Sequence, residues 1–254
     1  MKITLDDQVL LITGVGSGIG QALARQALES GMRVHGVDLN AEALETLQTE
    51  TEIGPRFTFH ALDLRDNAGL EALVASVIDQ EGRIDALANV AGVSYIASLE
   101  ETSSELLDAT LAVNLIAPFR LCQLVAPHMK KRRKGRILNL ASELAIVGQP
   151  GLAAYSASKG AVLGFTRALA AELAPHGIQI NALCPGPVET PMLKAEFATE
   201  KDPDAARIAA LASIPMGRLG QPDEVAKVAL FMLSDAASFM QGSSVVVDGG
   251  KTIV

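Results

Sequence analysis

Residues 9–20 read VLLITGVGSGIG, a short apolar run that ends in glycines and leads directly into an amphipathic stretch over residues 18–29. This change from a short apolar run to helical periodicity predicts a strand, a tight loop and a helix. Glycines let the loop turn sharply and approach a ligand closely, and the free N–H groups at the start of a helix attract anions. The stretch therefore predicts a pyrophosphate cradle, and its position between strand and helix favours this interpretation over a merely tight turn.

The alternation of apolar runs and amphipathic stretches continues along the chain. Strands are predicted at residues 8–13, 32–37, 56–61, 84–91, 136–141, 178–184 and 243–247. Helices are predicted at residues 18–29, 41–50, 67–80, 103–132, 153–174 and 222–234, with a break near Pro118. The proline-rich segment between residues 185 and 222 is expected to be irregular. Because a parallel connection needs a crossover helix, this alternation indicates a mainly parallel sheet covered on both faces.

The seven strands and their helices define an α/β fold class, a three-layer, doubly wound Rossmann fold with a mainly parallel seven-stranded sheet. No composition shift marks a second unit, so residues 1–254 are expected to form a single dinucleotide-binding domain. With 49% apolar residues, a chain of this length can bury a large core.

The chain is acidic, with a formal net charge of −8. Charge of this sign disfavours nucleic acid and anionic membranes as partners. One basic run, KKRRK at residues 130–134, is interpreted as the cationic end of a helix that stops at Gly135, with an anion-binding patch as the alternative. No export signal is visible, and every apolar run is shorter than the roughly 18 residues of a membrane-spanning helix. We therefore expect a cytoplasmic protein.

The cysteines and histidines do not indicate metal chemistry. Cys122 and Cys184 are too few for a disulfide framework and show no metal-ligand spacing. The four histidines are scattered singly, without the i, i+4 pairing that puts two of them on one helix face. We expect two reduced packing cysteines and no metal site.

Asp38 stands at the end of the second predicted strand, 18 residues beyond Gly20. A carboxylate at this distance from the glycine loop can accept hydrogen bonds from the adenosine ribose of a dinucleotide. A 2′-phosphate would meet like charge there, and the neighbours that could compensate it are uncharged: Gly16, Ser17, Leu39 and Asn40. Asp38 therefore predicts NAD as the cofactor. A helix cap is the alternative role for Asp38, but Asn40 already stands in the capping position before Ala41.

Residues 155–159 read YSASK and begin a predicted helix, so Tyr155 and Lys159 lie on one face at i, i+4 spacing. The pKa of a phenol, normally near 10, falls if a neighbouring ammonium and a positively charged nicotinamide favour the phenolate. The pair therefore predicts a proton-transferring tyrosine. An isolated pair of this kind would be ordinary helix surface, and the surrounding motifs decide between the two.

Together these motifs resemble the short-chain dehydrogenase/reductase family, in its compact single-domain branch, over essentially the whole chain. The family's Thr-Gly-x-x-x-Gly-x-Gly is matched at residues 13–20 and its Tyr-x-x-x-Lys at residues 155–159. Its catalytic serine falls on Ser142, 13 residues before Tyr155. The fourth-strand motif Asn-Asn-Ala-Gly departs from the family pattern at Val90 but keeps Asn89.

The resemblance implies a set of site residues. The implied catalytic residues are Asn114, Ser142, Tyr155 and Lys159. The implied cofactor-binding residues are Gly14, Ser17, Gly18, Ile19, Gly20, Asp38, Asp63, Leu64, Asn89, Tyr155, Lys159, Val188 and Thr190. In this set Ser142 binds the substrate oxygen and Tyr155 moves its proton. Lys159 binds the nicotinamide ribose, and Asn114 holds a water beside it.

The function implied is an NAD-dependent oxidoreductase that interconverts a secondary alcohol and a ketone by hydride transfer, with Tyr155 as acid and base. A polyol, a sugar, a cyclic alcohol or a hydroxy acid all remain open as substrates. An NADP-dependent 3-oxoacyl thioester reductase is the alternative, and a catalytically silent nucleotide-binding scaffold is a third possibility. The resemblance implies a substrate loop over about residues 186–215 and a pocket with these candidate liners: Glu143, Leu144, Gln149, Leu152, Met192 and Leu193.

The resemblance also implies a homotetramer. The helix that begins near Tyr155 carries a stripe of small residues that would let two helices approach closely, at Ala157, Gly160, Ala161, Gly164 and Ala168. The alternative is that this stripe packs only within its own subunit.

Overall fold

The computed structural model describes residues 5–43 and 56–253. Seven strands form a single sheet: β1 Val9–Thr13, β2 Arg33–Asp38, β3 Phe57–Ala61, β4 Ala86–Asn89, β5 Gly135–Leu140, β6 Ile178–Pro185 and β7 Ser244–Val247. Their order across the sheet is β3-β2-β1-β4-β5-β6-β7, and every neighbouring pair is parallel. The predicted parallel seven-stranded sheet is confirmed.

Eight α-helices connect these strands within the described residues: α1 Gly18–Glu29, α2 Asn67–Glu81, α3 Ser104–Leu111, α4 Ala117–Arg132, α5 Ala153–Leu173, α6 Pro191–Thr199, α7 Pro203–Ala212 and α8 Pro222–Met232. The helix predicted over residues 41–50 begins at residues 41–43, and its remainder lies outside the described residues.

The two faces of the sheet bury separate apolar cores, because successive side chains of a strand point in opposite directions. In β1, Leu10 and Ile12 face a core shared with α1 and α8. Val9 and Leu11 face the other core, formed with α2, α4 and α5. Helices on both faces complete the three predicted layers and leave the carboxyl ends of the strands along one open edge.

The segment between β6 and α8 is more regular than expected, because it contains α6 and α7. Both helices have proline in the first turn, where a missing N–H costs nothing. Thr190 caps the first by accepting from Leu193 N at 3.3 Å, and Asp202 caps the second by accepting from Ala205 N at 3.0 Å. The prediction of an irregular segment was wrong because these prolines start helices.

The helical region Ser104–Arg132 is continuous and is not broken at Pro118. Its irregularity is a π-helical turn at Ala112–Ile116, immediately before α4. By length and composition alone this stretch could cross a membrane, which the sequence analysis did not recognise. Leu121, Val125 and Met129 are fully buried and pack in the core on one face of the sheet.

The basic run ends α4 as predicted, although Gly135 is not the stop. Arg133 itself adopts the left-handed conformation, with φ of 51°, and its guanidinium donates to Pro175 O at 3.0 Å. Arg132 forms an ion pair with Asp85 at 2.7 Å. These contacts favour the helix-terminus interpretation over a free anion-binding patch.

Candidate active site

A cavity of about 960 Å³ opens at the carboxyl edge of the sheet. It lies where β1 and β4 are neighbours and the order of the strands reverses, which is the place where doubly wound folds bind ligands. The glycine loop after β1 lines one end of the cavity, and Ser142, Tyr155 and Lys159 line the other.

The glycine loop is packed so tightly that side chains would not fit. Gly14 has a φ of 79°, and a Cβ there would lie 2.8 Å from Ala91 Cα. A Cβ on Gly20 would lie 1.9 Å from Gly14 O. Thr13 Oγ1 accepts from Val90 N at 3.1 Å and from Ala91 N at 3.2 Å, joining the loop to the end of β4. The bare backbone at the start of α1 therefore fits a pyrophosphate.

Asp38 stands at the rim of this loop and is held there by the backbone. Its Oδ2 accepts from Gly16 N at 2.9 Å and its Oδ1 accepts from Asn40 N at 3.0 Å. Each carboxylate oxygen can accept more than one hydrogen bond, so both retain capacity for a ligand. Asn40 Oδ1 accepts from Ala43 N at 3.2 Å, which confirms Asn40 as the cap of the following helix.

Asp63 and Leu64 line the cavity, together with a cation that the sequence analysis missed. Arg65 binds the carboxylate of Asp63 through Nε at 3.0 Å and Nη2 at 2.6 Å. The hydrogen bond from the Arg65 side chain is the main cause that lowers the pKa of Asp63. Asp63 and Arg65 thus form an ion pair in the lining of the cavity.

Ser142, Tyr155 and Lys159 come together from two elements. Ser142 follows β5 and caps a short 3₁₀ turn by accepting from Leu144 N at 3.1 Å, and its hydroxyl lies near enough to Tyr155 to influence the pKa of the phenol. Tyr155 and Lys159 lie on one face of α5, with Lys159 Nζ 5.7 Å from the centre of the Tyr155 ring. The Lys159 ammonium is buried and donates to Leu140 O at 2.8 Å.

The prediction of a lowered Tyr155 pKa rests partly on the positive nicotinamide ring, which acts only when the cofactor is bound. In the chain by itself burial raises the pKa of Tyr155 to about 12, and the nearby Ser142 hydroxyl opposes this rise only in part. The negative charges of Glu196 and Glu143 raise it further. Burial also lowers the pKa of Lys159 to about 8. Without the cofactor, the cost of burying a phenolate therefore keeps the tyrosine protonated at neutral pH.

Asn114 lies behind the cavity wall, in the π-helical turn. Its Oδ1 accepts from Val93 N at 2.8 Å, and its Nδ2 donates to Val93 O at 2.9 Å and to Ser158 Oγ at 3.1 Å. A Cβ added to Gly92 would lie 3.3 Å from Asn114 Oδ1 and 3.4 Å from Lys159 Nζ, so the two side chains are close. The side chain of Asn114 is thus engaged by protein groups, and its contact with a water stays a prediction.

Asn89 does not line the cavity. Its Nδ2 donates to Asn139 Oδ1 at 2.8 Å, and Asn139 Nδ2 donates to Thr166 Oγ1 at 3.0 Å. This buried chain of amides ties β4 to β5 and α5. Asn89 Oδ1 has no hydrogen-bond partner among the described residues, and the cofactor contact of Asn89 stays a prediction. The other expected cofactor residues do line the cavity: Gly14, Ser17, Gly18, Ile19, Gly20, Asp38, Asp63, Leu64, Tyr155, Lys159, Val188 and Thr190.

The segment after β6 closes over the glycine loop. A Cβ on Gly18 would lie 3.0 Å from Thr190 Cγ2, and Val188 is buried and pairs with Gly220. All the candidate substrate liners face the cavity: Glu143, Leu144, Gln149, Leu152, Met192 and Leu193. Glu196 and Lys251 also line it, and no local motif marks either of them in the sequence.

A glycine cradle at one end of the cavity and a serine, a tyrosine and a lysine at the other define the class of protein, a nicotinamide-dinucleotide oxidoreductase. The family model described as Enoyl-(Acyl carrier protein) reductase matches residues 14–252. The 3-oxoacyl-[acyl-carrier-protein] reductase FabG of Thermotoga maritima is 41% identical over 250 residues, which cover 98% of this chain and 99% of that protein. The chain belongs to the short-chain dehydrogenase/reductase family.

Other relatives differ in what their names say they act on. D-threitol dehydrogenase of Mycolicibacterium smegmatis is 41% identical over 252 residues, which cover 98% of this chain and 94% of that protein. The crystal structure of levodione reductase has a TM-score of 0.93 and 34% identity, covering 98% of this chain and 99% of that one. The 3-ketoacyl-(acyl-carrier-protein) reductase from Brucella melitensis complexed with NADH has a TM-score of 0.90 and 35% identity, covering 98% of this chain and 100% of that one.

Proposed function

We propose that this oxidoreductase uses NAD and interconverts a secondary alcohol and the corresponding ketone, with Tyr155 as the acid and base. The observation that carries the choice of NAD is Asp38, whose carboxylate is held at the rim of the phosphate loop by Gly16 N at 2.9 Å. A carboxylate in this position accepts from ribose hydroxyls and repels a 2′-phosphate. The proposed substrate is a polyol, a sugar, a cyclic alcohol or a hydroxy acid.

The residues around the cavity divide into those that hold the cofactor and those that act on the substrate. The glycine loop of Gly14, Ser17, Gly18, Ile19 and Gly20 is proposed to bind the pyrophosphate. Asp38 is proposed to bind the adenosine ribose, and Asp63 and Leu64 are proposed to bind the adenine. Lys159 is proposed to bind the nicotinamide ribose, and Val188 and Thr190 are proposed to bind the carboxamide. When bound, the nicotinamide accepts or returns the hydride of the substrate carbon.

The chain's own side chains then handle the oxygen and its proton. Ser142 hydrogen-bonds the substrate oxygen and orients it toward Tyr155. In oxidation the phenolate form of Tyr155 would accept the hydroxyl proton of the alcohol, while the hydride leaves the carbinol carbon for the bound nicotinamide, and the ketone remains. In reduction Tyr155 returns that proton. The third possibility, a silent scaffold, is disfavoured because Ser142, Tyr155 and Lys159 line one end of the same cavity.

An NADP-dependent 3-oxoacyl thioester reductase is the second candidate. Its support is the 41% identity to a 3-oxoacyl-[acyl-carrier-protein] reductase over nearly the whole chain. Asp38 speaks against the NADP part of this candidate. Parallel assays with NADH and NADPH, each with a 3-oxoacyl thioester and with simple ketones, separate the two.

We expect Asp38→Ala to weaken NAD binding by roughly tenfold to a hundredfold, since a hydrogen bond to a charged group contributes about 1.5–3 kcal/mol. The affinity for NADP should not fall in parallel, so the preference should erode. Dissociation constants for both cofactors, measured by calorimetry, check this. Asp38→Asn is the control, because it keeps an acceptor but removes the charge that repels phosphate. Faster turnover of NADP(H) than of NAD(H) by the unmodified protein at equal concentrations would contradict the assignment.

We further propose that the protein is a cytoplasmic homotetramer. Ala157, Gly164 and Ala168 are exposed on α5, and a Cβ on Gly164 would meet nothing within 4 Å among the described residues. Ile116 and Phe119, both about half exposed, are further apolar surface in the preceding helical region. This surface supports association rather than packing within one subunit. Light scattering is expected to give four times the 26.5 kDa of the chain, and a monomer at micromolar concentration would reject the proposal.

A further inference from the structure

Lys251, near the end of the described residues, reaches back to the turn that carries Ser142. Its Nζ donates to Glu143 Oε1 at 2.8 Å, and the two side chains are 18% and 5% exposed. Glu143 directly follows Ser142, whose hydroxyl caps the same turn by accepting from Leu144 N at 3.1 Å. Lys251 and Ser142 both line the cavity. The ion pair therefore fastens the Ser142 turn to a segment 108 positions away.

The backbone around Lys251 is fixed by a turn that follows β7. Asp248 Oδ1 accepts from Gly250 N at 2.8 Å, and its Oδ2 accepts from Thr252 N at 2.7 Å. Gly249 and Gly250 have φ angles of 66° and 92°, in the left-handed region that favours glycine. The Asp248 carboxylate and the two glycines thus define the point from which the Lys251 side chain extends.

Lys251 also acts on two acids that influence Tyr155. Glu143 lies in the turn after β5 and Glu196 lies in α6, and beyond the effect of burial their negative charges raise the pKa of Tyr155. Burial raises the pKa of each acid, while Lys251 acts in the opposite direction on both. Lys251 is thus a positive charge that offsets the two carboxylates at the substrate end of the cavity.

Three further ionisable groups lie around this arrangement. Lys159 lies on α5 with its Nζ 5.7 Å from the centre of the Tyr155 ring. Cys184, in the last turn of β6, interacts with Lys159 and is a neutral thiol, since burial raises its pKa to about 11. Asp248 adds a negative charge within the turn of Lys251. Of the two lysines that line the cavity in the described part of the chain, Lys159 is proposed to bind the cofactor, and Lys251 is paired with the acids.

We propose, resting on the function proposed above, that Lys251 is a positioning residue of the active site, which holds the Ser142 turn through Glu143 and offsets the carboxylates at the substrate end of the cavity. Breaking a buried ion pair leaves the partner charged and uncompensated, so loss of the ammonium would disturb both roles. Proton transfer depends on the distance and alignment of the groups involved, so a displaced Ser142 turn lowers the rate. An unbalanced carboxylate also disfavours the phenolate that acts as the base in oxidation.

Three substitutions separate the contact from the charge. Glu143→Gln removes the negative charge but keeps an oxygen that can accept from Lys251. Lys251→Met removes both the positive charge and the contact, whereas Lys251→Arg keeps both. Lys227→Met is the matched control, because Lys227 is exposed on α8 and does not line the cavity.

The ionisation of Tyr155 is measured by absorbance near 295 nm in the complex with NAD or NADP, whichever binds. The Tyr155→Phe form of each variant subtracts the signal of Tyr95, since the chain has two tyrosines and no tryptophan. We expect the midpoint to rise by at least roughly half a pH unit in Lys251→Met and to fall by a similar amount in Glu143→Gln. Lys251→Arg and the control should stay within about 0.2 pH unit of the unmodified enzyme. An ion pair with only a packing role would not move the midpoint in opposite directions.

Turnover tests the positioning of Ser142. In Lys251→Met we expect kcat to fall by at least roughly tenfold while the dissociation constant of the cofactor stays within about twofold, because other residues are proposed to contact the cofactor. Lys251→Arg should restore kcat to within about threefold of the unmodified enzyme. Glu143→Gln should lose less than Lys251→Met, since it retains an acceptor. Thermal unfolding of each variant verifies the fold.

Midpoints that shift in the same direction, or not at all, in Lys251→Met and Glu143→Gln would overturn the proposal. So would a kcat of Lys251→Met equal to that of the Lys227→Met control. If Lys251→Met does not fold, Glu143→Gln decides, and an unchanged midpoint in that variant overturns the proposal.

Failure of the proposed function gives a different result. The unmodified enzyme would then oxidise no alcohol with NAD and would reduce a 3-oxoacyl thioester with NADPH. The same variants are compared with that pair of substrates, and the titration in the cofactor complex needs no substrate. The role of Lys251 is therefore decided whichever reaction the enzyme catalyses.

Discussion

Replacing Tyr155 with phenylalanine is expected to lower turnover by roughly 10²–10⁴-fold, the contribution of a positioned proton-transfer group. The substitution removes only the hydroxyl, the group that lies near Ser142 in the lining of the cavity. The ring, and its packing over Lys159, are retained. NAD binding and the unfolding temperature should therefore change little while the chemical step is lost. Steady-state kinetics with a good alcohol substrate, together with cofactor titration, make this measurement.

The same variant also serves as a spectroscopic control. The chain contains two tyrosines and no tryptophan, so the difference in absorbance near 295 nm between unmodified enzyme and Tyr155→Phe reports the ionisation of Tyr155. With its pKa raised to about 12 by burial, Tyr155 should show no phenolate at pH 9 in the free enzyme. We expect added NAD to bring the midpoint down, because a positive ring favours the anion. Near-normal turnover by Tyr155→Phe would contradict the assignment of Tyr155 as the acid and base.

Lys159→Ala is expected to produce a double defect where Tyr155→Phe produces a single one. Removal of the ammonium should weaken NAD binding by about tenfold or more through the lost ribose contact. It should also raise the pKa of Tyr155 in the NAD complex, since one of the two positive charges that favour the phenolate is gone.

The sign of the pH dependence follows from the role of Tyr155 as a base. In the oxidative direction the rate rises with pH as the phenolate forms and levels off above its pKa. The midpoint of this rise should lie at higher pH in Lys159→Ala than in the unmodified enzyme. Lys159→Arg is the matched control, because it restores a positive charge on a longer side chain. A midpoint that does not move in Lys159→Ala would show that Lys159 exerts no influence on the acidity of Tyr155.

Most of the architecture was predictable because it is encoded in short stretches of chain. The alternation of apolar runs with helical periodicity predicted a mainly parallel sheet. The glycine loop between β1 and α1 predicted the phosphate cradle. The two helices between β6 and α8 were missed although Thr190 and Asp202 stand as caps before Pro191 and Pro203. The preference of proline for the first position of a helix, which predicted α8 at Pro222, would also have predicted these two helices. That error came from treating proline only as a helix breaker.

The candidate site also combines residues that sequence motifs mark with residues that only the fold brings to the cavity. Tyr155 and Lys159 could be paired from spacing, because they share one helix face, whereas Ser142 was named from the resemblance to the family. The ion pair between Glu143 and Lys251 joins residues 108 positions apart, and no local pattern predicts it. Glu196 likewise reaches the cavity only because α6 folds back over the strand ends.

The sequence by itself determined the fold class, the position of the dinucleotide cradle and the identity of the proton-transferring tyrosine candidate, since each depends on residues within a few positions of one another. Only the tertiary structure decided how far Tyr155 and Asn89 are buried and which charges meet at the substrate end of the cavity. Burial and electrostatic potential are sums over groups from many elements, so they exist only once the chain has folded.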